Sequence, residues 1–346
     1  MRAKKRVTHV DVAKRAGVST AVVSYVINDG PRPTSPEVRE RVMRAIRELD
    51  YHPNAVARGL RARRTNTIGF VVDDYNALDV FVSPYSARIL TGLTAQLKAR
   101  GYYLMLYPLD IGEDMSDIEL LLRSGRLDGI VVRLVQDPPE SDGLLSVIAG
   151  THVPCVCIER PGAPRFGFSA VTYDDTRGAY EATSYLIGQG HRRIGHIAGD
   201  LRYSTGRARL AGYQRALAEH GIAADQSLVY SDDWAPVVGR LGAAHLLGLA
   251  APPTAIFAAS DTFAFNAIEE LRVHGRRVPE DMAVIGFDDI EESADHAPPL
   301  TTMRIPLMEI GRRAADLVLD VVESEHEDTA GRSEVLPVEL VRRASA

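Results

Sequence analysis

The sequence runs to 346 residues, 45% of them hydrophobic and 25% charged, an ordinary globular composition with room for more than one domain. No apolar run reaches the roughly 18–20 residues of a membrane helix, and the basic start (Arg2, Lys4, Lys5, Arg6) is followed by no apolar segment of the kind a secretory signal needs, so a cytoplasmic protein with no membrane partner is expected. The formal net charge of −6 hides an uneven spread: residues 1–64 hold 15 Lys+Arg against 6 Asp+Glu, the remainder 25 against 40. A basic end on an acidic body is the layout of a tethered DNA-binding module. A merely solvated charged helix gives a similar count, since Arg39, Arg41, Arg44 and Arg47 share one stretch with Glu37, Glu40 and Glu48.

Thr8, with Asp11 three residues on, reads as a capping box opening a helix that Gly17 stops. Val10, Ala13, Ala16 and, less strongly, Val12 supply its apolar stripe. Ser19 caps a second helix running to about Asn28, with Val22, Val23 and Val26 inward and Thr20, Ala21 and Tyr25 outward. Two short helices joined by a tight turn form a helix-turn-helix, and small exposed residues at the start of the second let a backbone approach a major groove. A third helix starts at Ser35-Pro36, its apolar residues Val38, Val42, Ile46 and Leu49 at helical spacing. A three-helix protein-interaction module is the generic alternative.

From Thr67 onward, apolar runs of strand length recur at 68–72, 102–107, 130–132, 155–158, 194–198, 228–230, 255–259 and 283–287, with helical stretches between them, many ending at a glycine (Gly101, Gly190, Gly221, Gly275). Continuous apolar strands interleaved with helices predict parallel sheets covered on both faces. Some 280 residues exceed one such sheet, and the polar stretch 160–167 divides them into two halves with a cleft between. Ligands on such sheets bind beyond the carboxyl ends of the strands. Asp73-Asp74, Glu159-Arg160, Ser260-Asp261 and Asp288-Asp289 occupy those positions. Carboxylates and an arginine around a cleft suit a polyhydroxylated ligand, each carboxylate accepting hydroxyl hydrogens; helix capping is the alternative use, preferred for Asp175 and Asp261, with Asp288 read as a ligand group. Cys155 and Cys157, at i and i+2 of one run with no companion ligands nearby, read as small buried hydrophobes, so no metal or cofactor is expected.

Residues 7–28 (VTHVDVAKRAGVSTAVVSYVIN) and 51–60 (YHPNAVARGL) resemble the headpiece and hinge of the lac repressor/galactose repressor (LacI/GalR) family. Two departures stand out: Tyr25 where the family often has Arg, and Val22 where it often has a hydroxyl residue. The core resembles the same family at 190–194 (GHRRI), 207–213 (RARLAGY), 284–289 (VIGFDD) and 299–302 (PLTT), the last taken as a crossover to the first half. The resemblance implies a small all-α helix-turn-helix headpiece plus an α/β core of two doubly wound parallel-sheet subdomains, periplasmic-binding-protein-like. The boundaries expected are 1–53 for the headpiece, 54–64 for the hinge and 65–346 for the core, with an N-subdomain of about 65–160 plus 306–330 and a C-subdomain of about 161–305 plus 331–346. DNA-binding roles are implied for Thr8, Ser19, Thr20, Ala21, Ser24, Tyr25, Asn28, Asn54, Ala57, Leu60 and Arg61. Leu60 would wedge into the minor groove of a palindromic double-stranded operator and kink it. A hinge of about eight residues is too short to be helical alone and would order only on DNA, where an effector that changes the angle between the core halves can act on it. Effector-binding roles are implied for Asp74, Tyr85, Glu159, Arg209, Trp234, Ser260, Asp288 and Leu307, although core packing is as good a use for Trp234. The loop 73–82 is several residues longer than the family's usual one.

The function expected is therefore a DNA-binding transcriptional regulator, a repressor by the commoner family mode, controlled by a small molecule, with a sugar first and a nucleobase or other metabolite acting as corepressor as the alternative. A glycosidase using paired carboxylates is the enzymatic rival, but no Gly-rich phosphate loop with Lys, His-Glu-x-x-His or Gly-x-Ser-x-Gly occurs, and no enzyme is expected. A non-regulatory sugar-binding protein shares the two-lobed core but not residues 1–64. Reading a palindrome calls for a homodimer, and residues 341–346 carry no leucine heptads for a tetramer.

Overall fold

Thr8 opens the first helix, α1 (His9–Ala16), with a closed capping box: its hydroxyl accepts the Asp11 N–H, and the Asp11 carboxylate accepts the Thr8 N–H at 2.8 Å. Gly17, at φ 65°, turns the chain out in a left-handed conformation that costs glycine nothing. α2 (Thr20–Ile27) and α3 (Pro36–Glu48) follow, with Ser35 capping α3 and proline in its first turn. Val12, Ala13, Ala16, Val23, Val26, Val42, Ala45 and Tyr51 make one small core. One assignment reverses: Val10 is 62% exposed, whereas Val12 is fully buried. Val12, Ala13 and Ala16 share a helix face, and Val10, two residues before Val12, lies on roughly the opposite side. Val22, expected inward, is only partly buried.

This computed structural model describes residues 7–27, 34–52, 64–73, 83–109, 115–134, 140–324 and 331–346. Asn28, Asn54, Ala57, Leu60, Arg61 and Asp74, singled out above, lie outside the described residues. The chain divides into two compact units, Met1–Thr65 and Asn66–Ala346.

In the second unit the elements in chain order are β1 (Thr67–Asp73), α4 (Pro84–Ala99), β2 (Tyr103–Leu109), α5 (Ser116–Arg123), β3 (Gly129–Leu134), α6 (Glu140–Ala149), β4 (Cys155–Ile158) and β5 (Ser169–Tyr173). Next come α7 (Asp175–Gly188), β6 (Ile194–Ala198), α8 (Ser204–Glu219), β7 (Val229–Ser231), α9 (Val237–Leu247), β8 (Ala255–Ala258), α10 (Asp261–Val273) and β9 (Ala283–Asp288). The short α11 (Glu292–Asp295), β10 (Thr301–Arg304), α12 (Leu307–Glu323), β11 (Ser333–Leu336) and β12 (Glu339–Val341) complete it. They build two six-stranded sheets, ordered β11-β5-β4-β3-β1-β2 and β12-β10-β9-β8-β6-β7. Every pairing is parallel except that of β12 with β10. Strands such as β4, β5, β6, β8 and β9 are buried along their whole length, as parallel strands covered on both faces must be. Cys155 and Cys157 are free and buried within β4.

The expected subdomain boundaries need correcting. The first sheet does not close at residue 160 but takes in β5, paired with β4, and it ends on β11 rather than before residue 331. Residues 299–302 are not the crossover: Thr301 and Thr302 already belong to β10 of the second sheet, and the chain crosses at Ile305-Pro306 into α12. Strands as short as β10 and β11, carrying Thr, Ser or Glu, leave no apolar run to read. α12 lies against α4 at very close range: a Cβ on Gly92 would come within 1.9 Å of the Met308 carbonyl, and one on Gly311 within 2.1 Å of the Ile89 carbonyl.

Candidate functional site

Glu159, Tyr173, Ala259-Ser260 and Asp288 stand at or just past the carboxyl ends of β4, β5, β8 and β9, where doubly wound sheets bind ligands. Arg209, on α8 and 2% exposed, is the hub. Its Nε donates to Asp175 Oδ1 at 2.7 Å, one terminal nitrogen donates to the Ala259 carbonyl, and the other donates to the Tyr173 hydroxyl at 3.2 Å. Asp288 Oδ1 lies 3.8 Å away. The guanidinium carbon sits 3.9 Å above the centre of the Phe287 ring and 6.0 Å from that of Trp234. Burial opposes the arginine's charge, but Asp175, Tyr173 and Asp288 outweigh it and hold the guanidinium cationic. Burial likewise pushes the carboxylates up, Asp175 to about 6 and Asp288 well above its ordinary range, with Arg209 pulling both back.

On the side of the first sheet, the Tyr85 hydroxyl, on α4, donates to the Glu159 carboxylate and lies 2.9 Å from the Tyr173 hydroxyl. Arg133 Nε donates to the other Glu159 oxygen at 2.9 Å, its guanidinium 5.2 Å from the Tyr85 ring centre. Burial, then Glu159, raises the Tyr85 pKa well above its usual value. One polar chain thus runs Arg133–Glu159–Tyr85–Tyr173–Arg209–Asp288, from the strand ends of one sheet to those of the other. Glu159, Asp288 and Asp289 adopt positive φ (61°, 126° and 56°), a backbone cost of order 1–3 kcal/mol each that tends to gather at functional corners.

Of the residues anticipated for this site, Tyr85, Glu159, Arg209 and Asp288 come together as described. Trp234 is half-buried, stacked on Phe263 (centroids 5.5 Å, 20°), and closes so tightly over Gly199 that a Cβ there would meet its ring at 2.2 Å. Ser260 caps α10, accepting the Phe263 N–H at 3.1 Å. Leu307 is buried in the apolar core as the first residue of α12. Two capping assignments are corrected. Asp174, not Asp175, caps α7, which frees Asp175 to turn inward to Arg209. Asp261 caps nothing: its buried carboxylate accepts the Ile290 N–H at 3.0 Å and the hydroxyls of Ser293 and Thr302, locking the corner after Asp288. Tyr173 and Arg133 are not among the residues the sequence singles out, and Asp175 is singled out only as a cap. The signal that was there, Asp174-Asp175 directly after the short run 169–173, has the same strand-then-carboxylate form as the other candidates.

In the first unit, Ser19, Thr20 and Ala21 are exposed at the start of α2, with Ser24 and Tyr25 partly so. Thr8 is exposed but engaged in its capping box. Arg39, Arg41, Arg44 and Arg47 are exposed along α3. No group of His, Cys, Asp or Glu able to hold a metal ion occurs among the described residues, and no helix among them is long and apolar enough to cross a membrane.

A helix-turn-helix unit joined in one chain to a two-lobed α/β core with a polar cleft defines a class: DNA-binding transcription regulators controlled by a small-molecule effector, rather than enzymes. Residues 8–54 match the model of bacterial regulatory proteins of the lacI family, and residues 183–346 match that of the periplasmic binding protein-like domain. The chain belongs to the LacI family. It is 38% identical over 327 residues to the HTH-type transcriptional regulator CelR of Thermobifida fusca, covering 94% of each chain. It is 34% identical over 338 residues to the HTH-type transcriptional repressor PurR of Haemophilus influenzae, covering 96% of this chain and 97% of that one. Among solved structures it resembles a CelR–cellobiose complex (36% identity, TM-score 0.74, 99% of this chain and 100% of that one). It also resembles the lac repressor dimer bound to operator and the anti-inducer ONPF (25% identity, TM-score 0.84, 99% of each chain).

Proposed function

We propose that this regulator is a cytoplasmic homodimeric repressor whose binding to a palindromic operator is controlled by a sugar held in the core cleft. Residues 1–53 form its headpiece, 54–64 its hinge, and the core starts at 65. Ser19, Thr20, Ala21, Ser24 and Tyr25 face DNA; Arg209 and Asp288 hold the sugar's hydroxyls; Tyr85 and Glu159 face its far end; Trp234 offers a ring face. The observation that carries this reading is Arg209, buried beneath an aromatic face with carboxylates on two sides: donors and acceptors for hydroxyls beside a flat apolar surface. The CelR–cellobiose complex makes cellobiose the first sugar to try.

The test is a thermal-shift screen of cellobiose, other di- and monosaccharides, and nucleobases, repeated with operator DNA. A sugar that raises the core's melting temperature and changes operator affinity supports the proposal; stabilisation by a nucleobase and by no sugar transfers the site to the second reading. That reading is favoured by the stacked Trp234 and Phe263 rings, which suit a flat heterocycle as well as a sugar face.

A further inference from the structure

Inside the cleft two carboxylates face one guanidinium, and the charges do not balance. Asp175 reaches Arg209 at 2.7 Å and Asp288 stands 3.8 Å from it, with side-chain exposures of 15% and 10%. What surrounds the trio adds little positive charge. Asp174 sits beside Asp175 at the start of α7. Asp261 lies behind Asp288, its backbone N–H donating to the Asp288 carboxylate. Glu159 is already matched by Arg133, and Asp289 by Arg304 and Arg343. The imidazole of His196, stacked on Tyr213 and Phe257, is kept neutral by burial. Tyr173, which accepts from Arg209, is held protonated by burial and by Asp175. Desolvation and mutual repulsion both oppose a second negative charge here, and in such a pair the proton belongs to the two groups jointly.

We propose that Asp175 and Asp288 share one proton in the effector-free protein at neutral pH, that effector binding expels it to solvent, and that Asp175 is thereby a positioning residue coupling effector affinity to pH. The inference rests on the cleft being the effector site. An ionised carboxylate accepts ligand hydroxyls on both oxygens and in charge-assisted bonds, whereas the neutral acid keeps one acceptor oxygen and turns the other into a donor. A sugar that directs hydroxyls at both oxygens of Asp288 therefore favours breaking the O–H bond of the pair, its proton passing to water or buffer; Arg209 stays cationic and no other bond changes. Affinity then rises with pH across the neutral range, at most tenfold per pH unit for one proton released. With Asp175→Asn the amide oxygen still accepts from Arg209 Nε, but Asp288 alone faces the guanidinium and ionises, so the pH dependence disappears.

The test uses the full chain. Infrared difference spectra of the effector-free protein at neutral pH should show a protonated carboxylic acid that is absent from Asp175→Asn and, independently, from Asp288→Asn; Asp261 is common to all three and cancels. Calorimetric titration with cellobiose in buffers of different ionisation enthalpy should show release of about one proton by the wild type and none by Asp175→Asn. A wild-type spectrum lacking that acid overturns the shared proton, whether or not any ligand binds, and a pH titration of the wild type alone decides this if a variant fails to fold. Binding of cellobiose with no proton release overturns the coupling. Should no saccharide bind, the sugar reading of the cleft fails and the coupling to a sugar with it, while the infrared difference still rules on the proton.

Discussion

Arg209 illustrates how one side chain can be legible in a sequence while its partners are not. Its segment, residues 207–213, carries a recognisable pattern, and Asp288 ends a long apolar strand; both were placed from sequence and both are found in one cluster. Asp175 sits where caps sit, and only the Asp174 carboxylate, accepting the Arg177 N–H at 2.8 Å, assigns the capping role one residue earlier. Tyr173 ends a strand too short to announce itself. If the guanidinium pairs with ligand hydroxyls in this dry setting, Arg209→Ala should cost about 2–4 kcal/mol, some 30- to 1000-fold in sugar affinity by calorimetry; an unchanged titration removes Arg209 from the site. His196 supplies a second residue-scale prediction. Burial lowers its pKa from 6.5 to about 4, and its Nε2 has no hydrogen-bond partner among the described residues. The unfolded chain takes up that proton first, so this group's contribution to stability falls as pH drops from 6.5 towards 4, by up to about 3 kcal/mol. Asp175 and Asp261, raised by burial to about 6, act in the opposite sense between 6 and 3.8 and together outweigh that loss, so the histidine's share shows only in a comparison of variants. His196→Phe keeps a ring between Tyr213 and Phe257 and removes the titration. Its melting temperature should gain on the wild type steadily as pH falls below 6.5, and a gap independent of pH refutes the assignment.

Among the elements, long strands and helix ends were readable because each is a local pattern: apolar runs of strand length, and glycines at φ between 65° and 98° closing helices at Gly17, Gly101, Gly190, Gly221 and Gly275. Short edge strands were not, because β11 and β12 exist only through pairing with neighbours more than a hundred residues, or nearly forty, away in sequence. The seam between α7 and α8 shows what a helix-helix contact does for the site. A Cβ on Gly212 would come within 2.2 Å of the Thr176 carbonyl and 2.8 Å of the Ala179 Cβ. Those helices carry Asp175 and Arg209, so the seam sets the distance between the two charges. Gly212→Ala should push the helices apart, destabilise the core by about 1–3 kcal/mol as overpacking does, and weaken sugar binding without touching a ligand. Chemical denaturation beside calorimetry checks both; a destabilised core with full affinity means the seam does not tune the pair.

At the scale of the whole molecule, the division into Met1–Thr65 and Asn66–Ala346 follows the division of charge, basic before residue 65 and acidic after it. Residues 66–346 alone should bind the sugar with unchanged affinity and show no sequence-specific DNA binding in a gel-shift assay; retained operator binding by this fragment contradicts the assignment of the headpiece. The route of the chain through the core has a different kind of consequence. It leaves the first sheet after β5, returns after β10, and leaves once more between β11 and β12, so each sheet receives its outermost strand last. On the ribosome, neither half can be finished before the other is nearly complete: when β5 emerges its edge stays bare until residues 333–336 are made, and β10 waits for 339–341. The nascent core therefore carries an open β5 edge from residue 173 to residue 333 and an open β10 edge only from residue 304 to residue 339, and the same few residues late in the chain shut both.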